Sequence, residues 1–273
     1  MLIKVLSENT SLTDEFFHEH GLSIYIETEE KKILFDTGAS DVFAKNARKM
    51  DVDISDVDYL IISHAHDDHA GGVEVLLREN PKVKVFLHRL ARGSYYSRTD
   101  EADTYIGLDK KLLSHSRIVW TSESLAISDG IYVFSDVVQK YPKPMSNQGL
   151  FMECEGEMVP DKFSHEQNLL IEENGRSLLL TGCSHNGIMN ILERFKEIKG
   201  KMPDVCIGGF HLYKTPQDEG GREYLDKIGR RLLTTGIQFY TGHCTGKWPF
   251  ERLKETMGSK IDYLPAGSIL LVE

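Results

Sequence analysis

Short apolar runs separated by polar turns dominate the N-terminal part of the chain. Leu2 to Leu6, Leu22 to Glu27 and Ile33 to Phe35 each show the alternation or brief apolar run of a strand, and Glu29-Glu30-Lys31 is the turn between the last two. A helical period follows: Ser40 caps a helix running through Lys49, with Val42, Phe43 and Ala47 on one face. Tyr59-Leu60-Ile61-Ile62 reads as a buried strand, Gly72 to Glu79 as a helix and Val83 to Leu87 as a strand. Strand and helix alternate again after residue 186. Helices are predicted over Gly187 to Lys199, with Ile188, Ile191, Leu192 and Phe195 inward, over Arg222 to Leu233 and over Trp248 to Met257. Strands fall at Val205 to Ile207, at Gln238 to Tyr240 and from Ile261 to Leu264. Strands apolar on both faces need helices to cover their sheets. The pattern therefore predicts an α/β fold: an α/β/β/α sandwich, two sheets face to face with helices outside and a site at strand ends along one edge.

Residues 89 to 160 break this rhythm. They are richer in polar and aromatic residues, among them Tyr95-Tyr96, Tyr105 and Tyr141-Pro142-Lys143-Pro144. Strands at Ile118 to Thr121 and Ile131 to Phe134 read as central and the rest as loops, so a lid-like excursion over the site is expected. The 273 residues are expected to form a single domain over 1–273, large enough for a sizeable core.

Chemistry enters at the end of the Tyr59–Ile62 run. Ser63-His64-Ala65-His66-Asp67-Asp68-His69 packs three imidazoles and two carboxylates into six residues. His64 and His66 lie two apart, so on an extended segment they point the same way. Asp68 and His69 follow in the turn, and Gly71-Gly72 lets the backbone bend before the next helix. Imidazole and carboxylate suit divalent ions such as zinc, manganese or ferrous iron, and this layout can hold two of them close together. A polar loop with clustered histidines is the plain alternative.

His64-x-His66-x-Asp68-His69 resembles the signature of the metallo-β-lactamase superfamily. Ile33-Leu34-Phe35-Asp36-Thr37-Gly38 resembles its first motif, and Tyr240-Thr241-Gly242-His243 its last metal histidine. Leu178 to His185 resembles the strand-Gly-Asp motif whose aspartate bridges both metals, except that Cys183 stands at the aspartate position. Thr181-Gly182-Cys183-Ser184-His185, Gly208-Gly209-Phe210-His211-Leu212, Thr241 to Gly246 and Glu8-Asn9-Thr10 together resemble one branch. It is often labelled 7,8-dihydropterin-6-methyl-4-(β-D-ribofuranosyl)-aminobenzene-5′-phosphate synthase. The resemblance spans the chain and is weakest over about 89 to 160. It implies a four-layer fold of the metallo-β-lactamase type and two divalent ions, zinc first, with manganese, iron or magnesium as alternatives.

On this reading His64, His66 and His185 form the best set for one ion, and Asp68, His69 and His243 for the other. Cys183 either packs or ligates. Asp67, Asp68 and His211 are the catalytic candidates, for proton relay or substrate orientation. Asp36 would orient a ligand, and His165 is a ligand or supporting candidate. Gly209 and the turn Gly242 to Gly246 could offer N–H groups to a phosphate, helped by Lys247, Lys214 or Arg92. His18, His20, His88 and His115 read as surface or packing residues.

Composition narrows the partners. Net charge is −10, with an isoelectric point near 5.6, which disfavours nucleic acid and anionic membranes. The four cysteines, Cys154, Cys183, Cys206 and Cys244, lack framework spacing, as in a cytoplasmic protein. Met1 to Leu6 reads as a strand rather than a signal peptide, and no apolar run reaches membrane-spanning length. The expectation is a cytoplasmic dinuclear hydrolase acting on a small phosphorylated substrate, with a cyclic phosphodiester or a pterin-like compound as the candidates and homo-oligomerisation left open. The rivals are a thioesterase or glyoxalase-type hydrolase, a nuclease of the same fold, a redox diiron protein and a metal-binding sensor without turnover.

Overall fold

A computed structural model describes all 273 residues. Two seven-stranded sheets pack face to face. Across the first, the strands run Ile269–Leu271, Leu2–Ser7, Ser23–Glu27, Lys32–Phe35, Tyr59–Ile61, Lys84–His88 and Ile118–Thr121. Across the second they run Ile261–Tyr263, Gln238–Thr241, Val205–Ile207, Arg176–Leu180, Asn168–Glu173, Ile131–Phe134 and Ser124–Ser128.

The period-2 alternation of the strands builds the layers. Ile33 and Phe35 face the second sheet, in a core shared with Leu178, Leu180 and Ile207. Leu34, between them, points outward into a core with Phe43, Ala44 and Ala47 of the helix Val42–Lys49. Leu179 likewise turns away from Leu178 and Leu180, toward Ile191 and Phe195 of the helix Ile188–Lys199. Three apolar layers thus separate four structural ones, and the predicted α/β/β/α sandwich is what forms. The helices Glu219–Leu233 and Lys247–Met257 complete the second outer layer.

Each sheet is parallel where it matters for the site. Lys32–Phe35, Tyr59–Ile61 and Lys84–His88 run parallel, with Phe35 level with Ile61. Arg176–Leu180, Val205–Ile207 and Gln238–Thr241 also run parallel, with Leu180, Ile207 and Tyr240 in register. Parallel register brings the carboxyl ends of neighbouring strands to one edge, where ligand sites form in α/β sheets.

The expectation of loops over most of residues 89 to 160 is corrected. A third sheet of four antiparallel strands runs Glu157–Pro160, Leu150–Cys154, Tyr95–Arg98 and Asp103–Tyr105. Its aromatic residues pair across strands, as Tyr96 does with Tyr105 at 5.5 Å, a contact that stabilises strands independently of a deep core. Ile118–Thr121 is an edge strand rather than a central one, and Ile131–Phe134 lies one strand in from the edge.

Candidate metal centre

Asp36 ends the strand Lys32–Phe35 with a left-handed φ of 60°, which turns its buried carboxylate under the neighbouring strand end. Its Oδ1 accepts the Ser63 N–H at 2.7 Å, and its Oδ2 accepts from Ser63 Oγ and His69 Nδ1, each at 2.7 Å. Ser63 Oγ in turn meets His64 Nδ1 at 2.8 Å. One carboxylate therefore sets the rings of His64 and His69 and leaves their Nε2 atoms facing inward.

The second sheet contributes one strand end at a time. Cys183 and His185 follow Arg176–Leu180, His211 follows Val205–Ile207 and His243 follows Gln238–Thr241. Ser184, His211 and His243 have φ values of 56°, 51° and 49°. Left-handed backbone is rare for side chains this large and clusters where geometry is over-determined by its surroundings. Gly182 permits the sheets to meet here, since a Cβ on it would run into Ser63 Oγ. The Nδ1 of His243 lies 2.7 Å from Asn9 Oδ1, and that of His185 lies 2.9 Å from Asn147 Oδ1.

The two halves converge. His64 Nε2 and His185 Nε2 are 3.3 Å apart, and His69 Nε2 and His243 Nε2 are 3.1 Å apart. Two imidazole nitrogens on one tetrahedral zinc, each bonded at about 2.05 Å, would lie about 3.3 Å from each other. Asp68 Oδ2 stands 3.2 Å from His243 Nε2 and 3.7 Å from His69 Nε2. Cys183 Sγ lies 3.2 Å from His69 Nε2. It also belongs to three compact donor groups: one with Asp68, His69 and His243, one with His64 and His185, and one with His211 and Cys244. His64 with His185 and Asp68 with His69 and His243 thus face each other across one sulfur, while His66 groups with His64 and Asp68 rather than with His185, and donors of these types fit divalent ions.

Electrostatics follow from burial and crowding. Burial, reinforced by neighbouring imidazoles, holds His64 and His185 well below the ordinary histidine range. Burial works the same way on His69, but Asp68 and Asp36 outweigh it and push its pKa up to about 9. Burial raises Asp68, yet His69 and His243 more than reverse this and hold its carboxyl well below the usual range. Burial raises the Cys183 thiol. Neutral His64 and His185 rings beside the ionised Asp68 suit cation binding, with the His69 proton displaced by the ion.

Other expected residues fall into place differently. His66 Nε2 is buried without a hydrogen-bond partner, 3.9 Å from Asp161 Oδ2. His211 is buried with both ring nitrogens unpartnered, its ring 4.2 Å from that of His185. His165 spends both nitrogens on protein: Nδ1 accepts the Ala65 N–H at 3.0 Å, and Nε2 meets Asp161 Oδ2 at 3.0 Å. That favours a supporting role over ligation. Asp67 is exposed at the rim. Gly209 packs its Cα face against Cys244 Sγ. Lys247 is exposed at the start of its helix, Lys214 Nζ donates to Gln148 O, and Arg92 lies over Trp120, so none of the three cations bonds a site residue.

His20 is at the surface, as expected, but it also reaches the candidate centre. Although its side chain is exposed, Nε2 is 3.4 Å from Asp68 Oδ2 and its ring is 5.0 Å from that of His243. No apolar strand precedes it, so no local signal marked it. His88 packs, with Nδ1 accepting the Leu90 N–H, and His18 is exposed. The supporting residues Asn147, Asp161 and Glu166 went unrecognised in the sequence. Glu166 binds the N–H groups of His185 and Asn186 at 2.6 and 2.9 Å. The 89–160 excursion and its continuation wall the site: Phe163 stacks on His185 at 4.4 Å, and Tyr95 lies 4.0 Å from His165.

Comparison with known proteins identifies the family. A family model described as the metallo-β-lactamase superfamily matches residues 18–185. An uncharacterized protein of Methanocaldococcus jannaschii, MJ0448, is 30% identical over 256 residues, covering 90% of this chain and 91% of its own. The 7,8-dihydropterin-6-methyl-4-(β-D-ribofuranosyl)-aminobenzene-5′-phosphate synthase of the same organism is 27% identical over 273 aligned residues, covering 93% and 90%. The crystal structure of Tm1679, described as a metal-dependent hydrolase of the β-lactamase superfamily, superposes with a TM-score of 0.84 at 33% identity. It covers 100% of this chain and 99% of its own. No helix is long and apolar enough to cross a membrane. The chain belongs to the metallo-β-lactamase superfamily.

Proposed function

We propose that this protein is a dinuclear metal-dependent hydrolase acting on a small phosphorylated substrate, a cyclic phosphodiester or a pterin-like phosphate. The observation that carries the reading is the meeting of two imidazole-rich donor sets at Cys183 Sγ. His64, His66 and His185 would hold one ion and Asp68, His69 and His243 the other, with the Cys183 thiolate as a further donor. Imidazole with thiolate suits zinc better than magnesium or manganese. Two such ions, when bound, would supply Lewis-acid polarisation of a substrate oxygen and a hydroxide nucleophile near neutral pH.

The chain's own groups do the remaining work. Asp36, Asn9 and Asn147 hold the Nδ1 atoms of His69, His243 and His185, keeping the Nε2 lone pairs inward. Asp67, at the rim, passes a proton to solvent. His211, buried with two free nitrogens, orients the substrate or hands it a proton. The acidic charge of the chain favours a small molecule over nucleic acid as partner, and a cytoplasmic location belongs to the same proposal. A second reading, favoured by the synthase relative that aligns over 90% of its length, is a synthase reaction at the same centre yielding a pterin-bearing phosphate.

Elemental analysis of the purified protein, combined with a panel of phosphodiesters, phosphomonoesters and thioesters, tests the proposal. Two zinc per chain and phosphoester turnover abolished by His66→Ala are expected. Full activity in His66→Ala, or a metal-free active protein, rejects it; thioester turnover alone moves the chain to the thioesterase class.

A further inference from the structure

The C-terminal half holds a second concavity, and none of its walls is a residue proposed above to bind metal. It encloses about 320 Å³ between the start of the helix Ile188–Lys199, the helix Glu219–Leu233 and the segment from Lys140 to Pro144. That volume is at the lower end for small-molecule sites. Its floor is apolar and aromatic, with Met189, Phe210, Tyr224 and Ile228 among the lining residues.

Three cations line the same space: Lys140, Lys227 and Arg231. Lys140 is already neutralised, with Nζ 2.7 Å from Glu197 and 3.5 Å from Glu193. Lys227 and Arg231 form no ion pair, although their helix neighbour Arg230 pairs with Asp226 and the facing Arg252 does the same. Arg231 instead sits 5.1 Å from the centroid of the Tyr141 ring, at the edge of the cavity. Lys227 and Arg231 lie four apart on one helix and so share a face. Two unneutralised cations above an aromatic floor complement a ligand with an apolar ring at one end and an acid group at the other.

We propose that this cavity binds a small aromatic anion. The ring lies against Phe210, Met189 and Tyr224, and the acid group lies between Lys227 and Arg231. The site does not depend on the metal reading. Its placement does bear on the centre, because Gly187 is two residues from His185, and Phe210 and Leu212 flank His211. An occupant rests on the outer side of the loops carrying both histidines.

Isothermal titration of the metal-loaded protein with 1-naphthalenesulfonate tests this, since the probe cannot be hydrolysed as a phosphoester. Saturable one-to-one binding is expected, with 1-naphthol and methanesulfonate each at least about tenfold weaker. Lys227→Glu and Arg231→Glu should each weaken binding about tenfold or more, and Ile228→Trp should abolish it by filling the cavity. His66→Ala should leave the affinity unchanged, which separates this site from the metal centre. Absence of binding, unchanged affinity in both charge-reversal variants, or loss of binding in His66→Ala overturns the proposal. Lys227 is exposed, so its variant remains informative should the tryptophan variant fail to fold.

Discussion

The two sheets supply the candidate centre in opposite ways. The first delivers His64, His66, Asp68 and His69 from one segment after one strand, secured by the single carboxylate of Asp36. The second delivers Cys183 with His185, then His211, then His243 from three successive parallel strand ends. It steadies them with groups from remote stretches: Asn9 for His243, Asn147 and Glu166 for His185. A contiguous half can be ordered by local turns and one buried acceptor. A dispersed half depends on register between strands and on left-handed backbone at Ser184, His211 and His243, so its geometry rests on the whole second sheet packing correctly.

The comparison can be broken first at the seam. His69 lies within 3.2 Å of both Cys183 Sγ and His243 Nε2. His69→Ala should remove one metal per chain and lower turnover about a thousandfold or more, as loss of an activated nucleophile would. Elemental analysis with steady-state kinetics reads both effects. Next comes the support. Asp36→Ala strips the acceptor from His69, Ser63 N–H and Ser63 Oγ together, and should weaken metal binding by about 10- to 100-fold. Asn9→Ala and Asn147→Ala each release one ring and should fall at the lower end of that range. Competition with a chelator gives the order, and equal losses in all three would erase the contrast between the halves.

A smaller effect concerns protons. In the metal-free protein His69 titrates near 9, against about 6.5 for an unfolded histidine. A raised folded pKa means the protonated ring stabilises the folded chain. That stabilisation is complete below about pH 6.5 and is lost as pH rises through about 9. Thermal melts of chelated protein should show the decline. Metal requires the neutral ring, so affinity should rise about tenfold per unit between about pH 7 and 9, until this proton is gone. Least of all, Lys247→Ala should change turnover less than about twofold, because Lys247 is exposed and bonds no site residue. A larger loss would return it to the substrate site.

The same contrast explains what was legible. Helix limits were found within a residue or two for Ile188–Lys199 and Lys247–Met257, because each carries a full amphipathic face. The third sheet was missed because Tyr95–Arg98 and Asp103–Tyr105 lack a buried stripe. Their stability comes from cross-strand pairs, which no single segment displays. His20 is exposed as expected, but its approach to Asp68 went unforeseen for a related reason: it comes from an irregular loop, with no strand before it to mark a strand-end position.

The residue pattern alone determined the four-layer architecture, the contiguous cluster of imidazoles and carboxylates at 64–69 and the strand ends where the distant histidines stand. Those follow from periodicity and spacing, which are local properties of the chain. Tertiary structure decided that His165 turns its nitrogens to Ala65 and Asp161, that His20 faces Asp68, and that Cys183 lies between both donor sets. Such choices depend on which groups meet across the gap between two sheets. Packing and the need to pair buried polar atoms settle them, and neither is encoded in any one stretch of sequence.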